Sequence, residues 1–281
     1  MGMVNRLARI FGNDGRSLII AADHRQRGVQ HGLEDFGCLA SNLVSVLRFA
    51  DALVATKEPM RHIMASWPEG LPKRGLLLSL NRTGLSESAF EWDDRLVVRP
   101  QTAVRWGLDG AKLLIRIDPT RAETSRQLEM CGEICDICER WDLPLILEPL
   151  YCTQVRGRLK VDYRPDKIRY AAIVAADFSV PALKIPYPDG PSRSSRRRSF
   201  RDIVHSVNAR VLVLGGRKVR TKAFLERSQD AILDGGSGLV IGRNVLLDRN
   251  PSLVTCALQR IIHQGEDADT ALANASREAM A

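Results

Sequence analysis

Long hydrophobic runs are missing from this chain. No stretch approaches the ~20 apolar residues of a membrane helix, and the opening segment from Met1 to Asn13 has no apolar core of the kind a secretory signal carries. Gly2 would suit N-terminal acylation, but Arg6 stands where that motif wants Ser or Thr. The expectation is a soluble, cytoplasmic protein with no membrane partner. Short cysteine pairs are also missing. Cys38, Cys131, Cys135, Cys138, Cys152 and Cys256 lack the spacing of a zinc ribbon or a disulfide scaffold. Cys131, Cys135 and Cys138 recur at i, i+4 and i+7, which gathers them on one helix face beside Leu128 and Ile134 as packing residues. The five histidines, His24, His31, His62, His205 and His263, show no zinc-ligand spacing, so neither metal nor cofactor is expected. The Gly-rich dinucleotide turn is absent too, since the first strand candidate runs into Ile20-Ala21-Ala22-Asp23-His24-Arg25.

Positive charge is in excess, with 41 basic against 33 acidic residues and a net charge of +8. Such a balance suits nucleic acid or small anionic substrates. The one dense run, Ser192-Arg193-Ser194-Ser195-Arg196-Arg197-Arg198-Ser199, has no interleaved aromatics for base stacking. It reads as a loop, either solvated or anion-binding, and no nucleic-acid partner is expected.

At 281 residues with 44% hydrophobic content the chain can bury a large core. Short apolar runs rich in β-formers fall at Ser17–Asp23, Ala52–Thr56, Gly75–Asn81, Ala111–Asp118, Pro144–Tyr151, Pro181–Tyr187, Arg210–Gly216 and Gly238–Asn244. Helical candidates lie between them at Phe36–Phe49, Thr102–Leu108, Ala122–Trp141, Asp166–Ala176, Phe200–Val207 and Val219–Leu233. The second unit has room only for a short helix. Strands that recur every thirty residues or so, apolar on both faces, predict a parallel sheet with right-handed crossovers. Eight such units predict an α/β fold, a (β/α)8 TIM barrel, as one domain over residues 1–281 with its core at about 17–250. Val4, Leu7, Ile10 and Phe11 predict an N-terminal helix packed over the barrel, and Asp267 to Met280 a terminal helix outside it.

Barrel active sites lie at the carboxyl ends of the strands. Reactive residues collect there: Asp23, His24 and Arg25 after strand one, Asn81 and Arg82 after strand three, Arg116 and Asp118 on strand four, Glu148 and Tyr151 on strand five, Lys184 and Tyr187 on strand six. Lys184 sits alone in the apolar segment Pro181-Ala182-Leu183-Lys184-Ile185-Pro186. Desolvation that lowers a lysine from ~10.4 toward ~7–8 would ready it for Schiff-base chemistry with a ketone. A lysine that snorkels or pairs with a carboxylate is the structural alternative. Strands seven and eight end in glycine turns, Gly215-Gly216-Arg217-Lys218 and Gly242-Arg243-Asn244. Glycine lets the backbone approach an anion, and this is where barrels place a phosphate site. Singly, Asp23 could cap a turn, Glu148 could pair with an arginine, and Tyr151 could be a packing residue. Together in one barrel mouth they point to a reaction centre.

The motifs Ala22-Asp23-His24-Arg25, Asp109-Gly110-Ala111-Lys112, Leu147-Glu148-Pro149-Leu150-Tyr151, Leu183-Lys184-Ile185-Pro186, Leu214-Gly215-Gly216-Arg217-Lys218 and Gly236-Ser237-Gly238-Leu239-Val240-Ile241-Gly242-Arg243 follow one another in a characteristic order. Over residues 17 to 250 the chain resembles the class I (Schiff-base) aldolase family that includes bacterial and archaeal fructose-bisphosphate, tagatose-bisphosphate and sulfofructose-phosphate aldolases and aminodideoxyheptulosonate synthase. The resemblance implies that Lys184 is the Schiff-base lysine, that Asp23 contacts substrate hydroxyls, and that the glycines with Arg243 hold a phosphate, with His24, Arg25 and Lys112 as further binding residues. It implies a proton shuttle at Glu148, as in one branch, or at Tyr151, as in another. The tyrosine branch follows its residue with Pro-Arg-Gly, whereas Cys152 to Gly157 intervene here. The branch with the glutamate also keeps a lysine like Lys112, although Lys112 starts its strand and is expected low in the barrel. The expected reaction is reversible cleavage of a phosphorylated ketose to dihydroxyacetone phosphate and an aldehyde, without cofactor or metal. The resemblance also implies a homo-oligomer. A transaldolase-type synthase using the same lysine, or a non-catalytic barrel gripping nucleic acid through Arg193 to Arg201, are the alternatives.

Overall fold

A computed structural model describes residues 2–278 apart from 29–31, 68, 70–72, 83, 86–87, 89–93 and 157. Eight parallel strands close on one another: β1 (Ser17–Ala22), β2 (Ala52–Ala55), β3 (Gly75–Ser79), β4 (Gly110–Ile117), β5 (Leu145–Val155), β6 (Ala182–Ile185), β7 (Arg210–Leu214) and β8 (Gly238–Ile241). Closure runs from Ser17 opposite Gly238 through every neighbour in turn, including the long β4–β5 ladder from Ala111 opposite Leu145 to Ile117 opposite Tyr151. The chain is therefore a TIM barrel.

Helices α1 (Met3–Ile10), α2 (Phe36–Val46), α3 (Lys57–Ala65), α4 (Pro100–Arg105), α5 (Ala122–Arg140) and α6 (Pro165–Ala176) precede β6. After it come α7 (Arg193–His205), α8 (Thr221–Leu233), α9 (Arg243–Leu246), α10 (Pro251–Gln259) and α11 (Ala268–Glu278). Starts are set locally. Asp35 and Ser192 accept from the backbone N–H groups of Cys38 and Ser195, and proline opens α4, α6 and α10. Among the described residues no helix is long and apolar enough to cross a membrane.

The barrel interior is a small apolar cluster, with Ile19, Val54, Leu77, Ile146, Ala182, Leu212 and Val240 pointing inward. Helix α1 closes the amino-terminal end by inserting Ile10, fully buried, into this cluster. Gly75 and Gly110 are needed there, since a Cβ on Gly75 would stand 2.6 Å from the Arg9 carbonyl and one on Gly110 3.1 Å from Ile10 Cδ1. The far larger outer cluster lies between strands and helices and takes in Cys131 and Cys138 of α5 as packing residues. With the amino-terminal end plugged, the opposite end is where the interior opens.

Two sequence expectations need correction. The arginine run is not a loop, because Ser192 caps a helix that starts at Arg193 and carries the whole stretch. Three of its arginines are paired: Arg193 with Asp230 at 2.8 Å, Arg197 with Asp234 at 2.9 Å, Arg201 with Asp234 at 2.8 Å. These ion pairs bind α7 to α8, so much of the run's charge is spent within the fold. The fifth strand does not stop at Tyr151 but continues to Val155 and pairs with an antiparallel strand, Arg158–Val161, over the mouth. The second unit carries the short helix expected of it, α3 over the nine residues Lys57–Ala65, and Pro68 and Gly70 lie outside the described residues.

Candidate active site

Side chains alternate along a strand, so the inward apolar layer fixes which later residues also point inward. Two residues past Ile146 is Glu148; two past Ala182 is Lys184; Asp23 follows Ile19 and Ala21 at the same parity. Lys112 and Arg116 share the parity of Gly110 on β4. The polar residues thus form the layer directly above the apolar floor.

Four of them make one chain of contacts. Lys184 Nζ lies 2.9 Å from Glu148 Oε1. Lys112 Nζ lies 3.1 Å from Glu148 Oε2 and 2.8 Å from Asp23 Oδ2. Lys112, Glu148 and Lys184 are buried, Lys184 being 6% exposed, and Asp23 is half-buried. Lys184 is therefore not the isolated lysine that its apolar segment suggested: its partner is a carboxylate brought by the neighbouring strand. The expectation that Lys112 lies too low is also corrected, because its side chain reaches up from the start of β4 to span two carboxylates.

Burial alone would push both carboxyls up, but the two lysines more than offset it and hold Glu148 and Asp23 below the usual carboxylate range. Burial likewise acts to lower Lys112, and Asp23 with Glu148 overcome it, so that this ammonium is held above the ordinary lysine value. Lys112 is thus a fixed positive charge between two carboxylates. His24 stands 3.7 Å from Asp23, and burial lowers it to about 4 against the pull of that carboxylate, leaving a neutral imidazole at pH 7.

The chamber around this network is lined by Arg243 and Gly216 on one side and by Asn81, Arg116 and Arg27 on another, with Tyr163 hanging in from beyond the mouth hairpin. Gly242 is a glycine because the His24 ring packs on it: a Cβ there would meet His24 Cε1 at 2.2 Å and the Ala21 carbonyl at 2.6 Å. Gly216 has φ +69°, and a Cβ on it would meet nothing within 4 Å. Gly215 serves the wall instead, its carbonyl accepting from Asn244 Nδ2 and Arg227 at 2.8 Å each. Arg243 Nε is buried with no hydrogen-bond partner among the described residues.

Two expected site residues are elsewhere. Tyr151 has the opposite parity to Glu148 and leaves the chamber; its ring packs edge-on against Tyr170 of α6 at 5.8 Å, with Lys167 over its face. Arg25 turns outward, 3.4 Å from Glu58 and stacked on Phe36. Sequence reasoning missed Tyr163, Arg27 and Asp94. The last buries itself against Arg116, with Oδ2 2.7 Å from Nε. Tyr163 and Asp94 sit in excursions between barrel units, where no strand parity identifies them. Among the described residues no three His, Cys, Asp or Glu side chains converge as metal ligands do, and His31 lies outside those residues.

Comparison with known proteins gives four points of similarity. The sequence profile of the Cgl0159-like family matches residues 15–260. The protein named 2-amino-3,7-dideoxy-D-threo-hept-6-ulosonate synthase 1 from Archaeoglobus fulgidus is 27% identical over 272 residues, covering 94% of this chain and 92% of its own length. The class 1 fructose-bisphosphate aldolase of Halobacterium salinarum is 29% identical over 271 residues, covering 92% of this chain and 95% of its own. Among solved structures, Cgl0159 from Corynebacterium glutamicum superposes with a TM-score of 0.81 at 25% identity, over 94% of this chain and 92% of that one.

Proposed function

This chain belongs to the Cgl0159-like family, and from that premise we propose that it is a class I aldolase, cleaving a phosphorylated ketose reversibly into dihydroxyacetone phosphate and an aldehyde through a Schiff base on Lys184. The observation that carries the reading is the largely buried Asp23–Lys112–Glu148–Lys184 chain of contacts. Of its two lysines, Lys112 is held by two carboxylates and Lys184 by one, so Lys184 is the amine that can leave its partner and bond to carbon.

For attack, Lys184 passes a proton to Glu148, the carboxylate within reach, and its free lone pair adds to the C2 ketone. The carbinolamine loses water, with Glu148 returning the proton to the departing hydroxyl. The iminium then draws the electrons of the C3–C4 bond while Glu148 takes the proton of the C4 hydroxyl. Aldehyde leaves, an enamine remains, and protonation at C3 followed by hydrolysis frees the product and the lysine. Lys112 keeps its charge throughout, and with Asp23 positions the C3 and C4 hydroxyls. Neutral His24 can donate or accept without adding charge. The phosphate lies at Gly216, Gly242 and Arg243, where the unpartnered Nε awaits an oxygen.

The test is a lyase assay on a panel of ketose phosphates with no acceptor added, following dihydroxyacetone phosphate by a coupled dehydrogenase. Release of dihydroxyacetone phosphate without acceptor supports the aldolase. Turnover only when a second carbonyl compound is supplied supports the transfer reaction instead, and no turnover of any ketose phosphate in either mode refutes both.

A further inference from the structure

Tyr163 reaches the chamber from outside the barrel strands, lining it together with Gly216 and Arg243. It lies between the hairpin strand Arg158–Val161 and Pro165, the first residue of α6. Its backbone is tied on both sides. The Asp162 N–H donates to the Tyr151 carbonyl at 2.9 Å, and the Tyr163 carbonyl accepts from the Asp189 N–H at 2.9 Å. The Asp162 carboxylate in turn clamps the Arg164 guanidinium at 2.7 Å. A half-buried ring on so fixed a backbone has a set position, yet its hydroxyl makes no hydrogen bond with the described residues. A phenol placed in a substrate chamber with its donor unused marks where a ligand oxygen belongs.

The groups around the ring say which oxygen that is. The charges that act on Tyr163 most strongly are Arg243, Arg217 and Arg227, opposed by the Asp189 carboxylate, so positive charge is in excess there. Arg227 also holds the phosphate turn from behind, donating to the Gly215 carbonyl at 2.8 Å. Lys184 and Glu148 are not among those strongest influences, which puts the hydroxyl at the phosphate end of the chamber rather than at the reacting carbons. Burial raises the phenol above its ordinary value in spite of the arginines, so at neutral pH it keeps its proton and can only donate to an anion. We propose that Tyr163 donates a hydrogen bond to the substrate phosphate at Gly216 and Arg243 and thereby makes the enzyme select phosphorylated over free ketoses. The inference rests on the Schiff-base reading above and adds a specificity-determining residue to it. An unphosphorylated ketone would leave this donor and the arginine charge unanswered, which is how a polar site rejects the analogue that lacks its partner.

Borohydride trapping on Lys184 tests this, with dihydroxyacetone phosphate and dihydroxyacetone as the two ketones and inorganic phosphate as competitor. In the wild type the phosphorylated ketone should half-saturate trapping at a concentration at least ~100-fold below that of the free ketone. Tyr163→Phe keeps the ring and the backbone ties. It should raise both the half-saturating concentration of dihydroxyacetone phosphate and the inhibition constant of inorganic phosphate by ~10-fold or more, while dihydroxyacetone shifts less than about twofold. A purely structural role for Tyr163 would shift both ketones alike, and a role in proton transfer would slow the reaction at saturation with both phosphate measures unmoved; either result overturns the inference. Equal trapping of the two ketones by the wild type overturns it as well. The wild-type adduct separates the two levels: an adduct whose phosphate dependence is the same in Tyr163→Phe defeats only this inference, and no adduct with either ketone defeats the aldolase reading and this inference together.

Discussion

Replacing Glu148 by Gln isolates the charge that joins the two lysines. Gln keeps the volume and one acceptor oxygen but leaves Asp23 as the sole carboxylate in contact with the network, where there were two. Lys184 loses its partner at 2.9 Å and Lys112 one of its two, at 3.1 Å. Removing one member of a buried ion pair costs roughly 3–5 kcal/mol. Because the chamber opens at the mouth and Lys112 retains Asp23, the expected loss is near the lower end, about 3 kcal/mol at pH 7. The pH dependence has a definite sign. Lys184 and Lys112 hold Glu148 below the usual carboxylate range against the effect of burial, so its contribution is present above the unfolded carboxyl value and is lost as pH falls through the folded one. The gap between wild type and Glu148→Gln, measured by urea unfolding, therefore narrows toward acid. Loss of the proton acceptor should also lower kcat by about 10²–10⁴-fold, with a smaller change in KM. A variant as stable as wild type at pH 7 whose kcat falls less than threefold would refute the reasoning.

Three further outcomes are expected. Tyr151→Phe should keep kcat within about twofold, since its ring lies outside the chamber against Tyr170; a hundredfold loss would return the proton shuttle to that residue. Gly242→Ala puts a methyl 2.2 Å from His24 Cε1 and 2.6 Å from the Ala21 carbonyl, so the KM for a ketose phosphate should rise at least about tenfold. At the amino-terminal end, His263 bridges Asp51 at 2.9 Å and Asp14 at 2.8 Å, and these bonds raise its pKa in spite of burial. A raised histidine contributes stability that is complete below its unfolded value and lost as pH rises through the folded one. His263→Gln should accordingly cost about 1–3 kcal/mol at pH 5.5 and distinctly less at pH 9, read from denaturant midpoints.

Much of the barrel was legible because its strands are short, apolar and evenly spaced, and because β-strand parity carries the inward direction upward from the floor. Asp23, Glu148 and Lys184 could be found that way. The same parity rules out Tyr151, three residues after Glu148 and so on the other face, yet resemblance to a tyrosine-bearing branch drew attention to it. Lys112 was underrated because its Cα is low; a lysine side chain spans the difference. Two features depend on distant partners that spacing cannot reveal. Arg197 and Arg201 look like a free basic run until Asp234, over thirty residues later, is seen between them. Arg116 reads as a mouth residue, but its buried partner Asp94, outside the barrel strands, is not revealed by spacing.

The most direct measurement is borohydride reduction of the protein with dihydroxyacetone phosphate, followed by peptide mapping in the mass spectrometer. The account predicts a single reduced adduct on Lys184, absent from Lys184→Met and still directed to Lys184 in Tyr151→Phe. An adduct on Lys112, or none on any lysine of the folded protein, would contradict it.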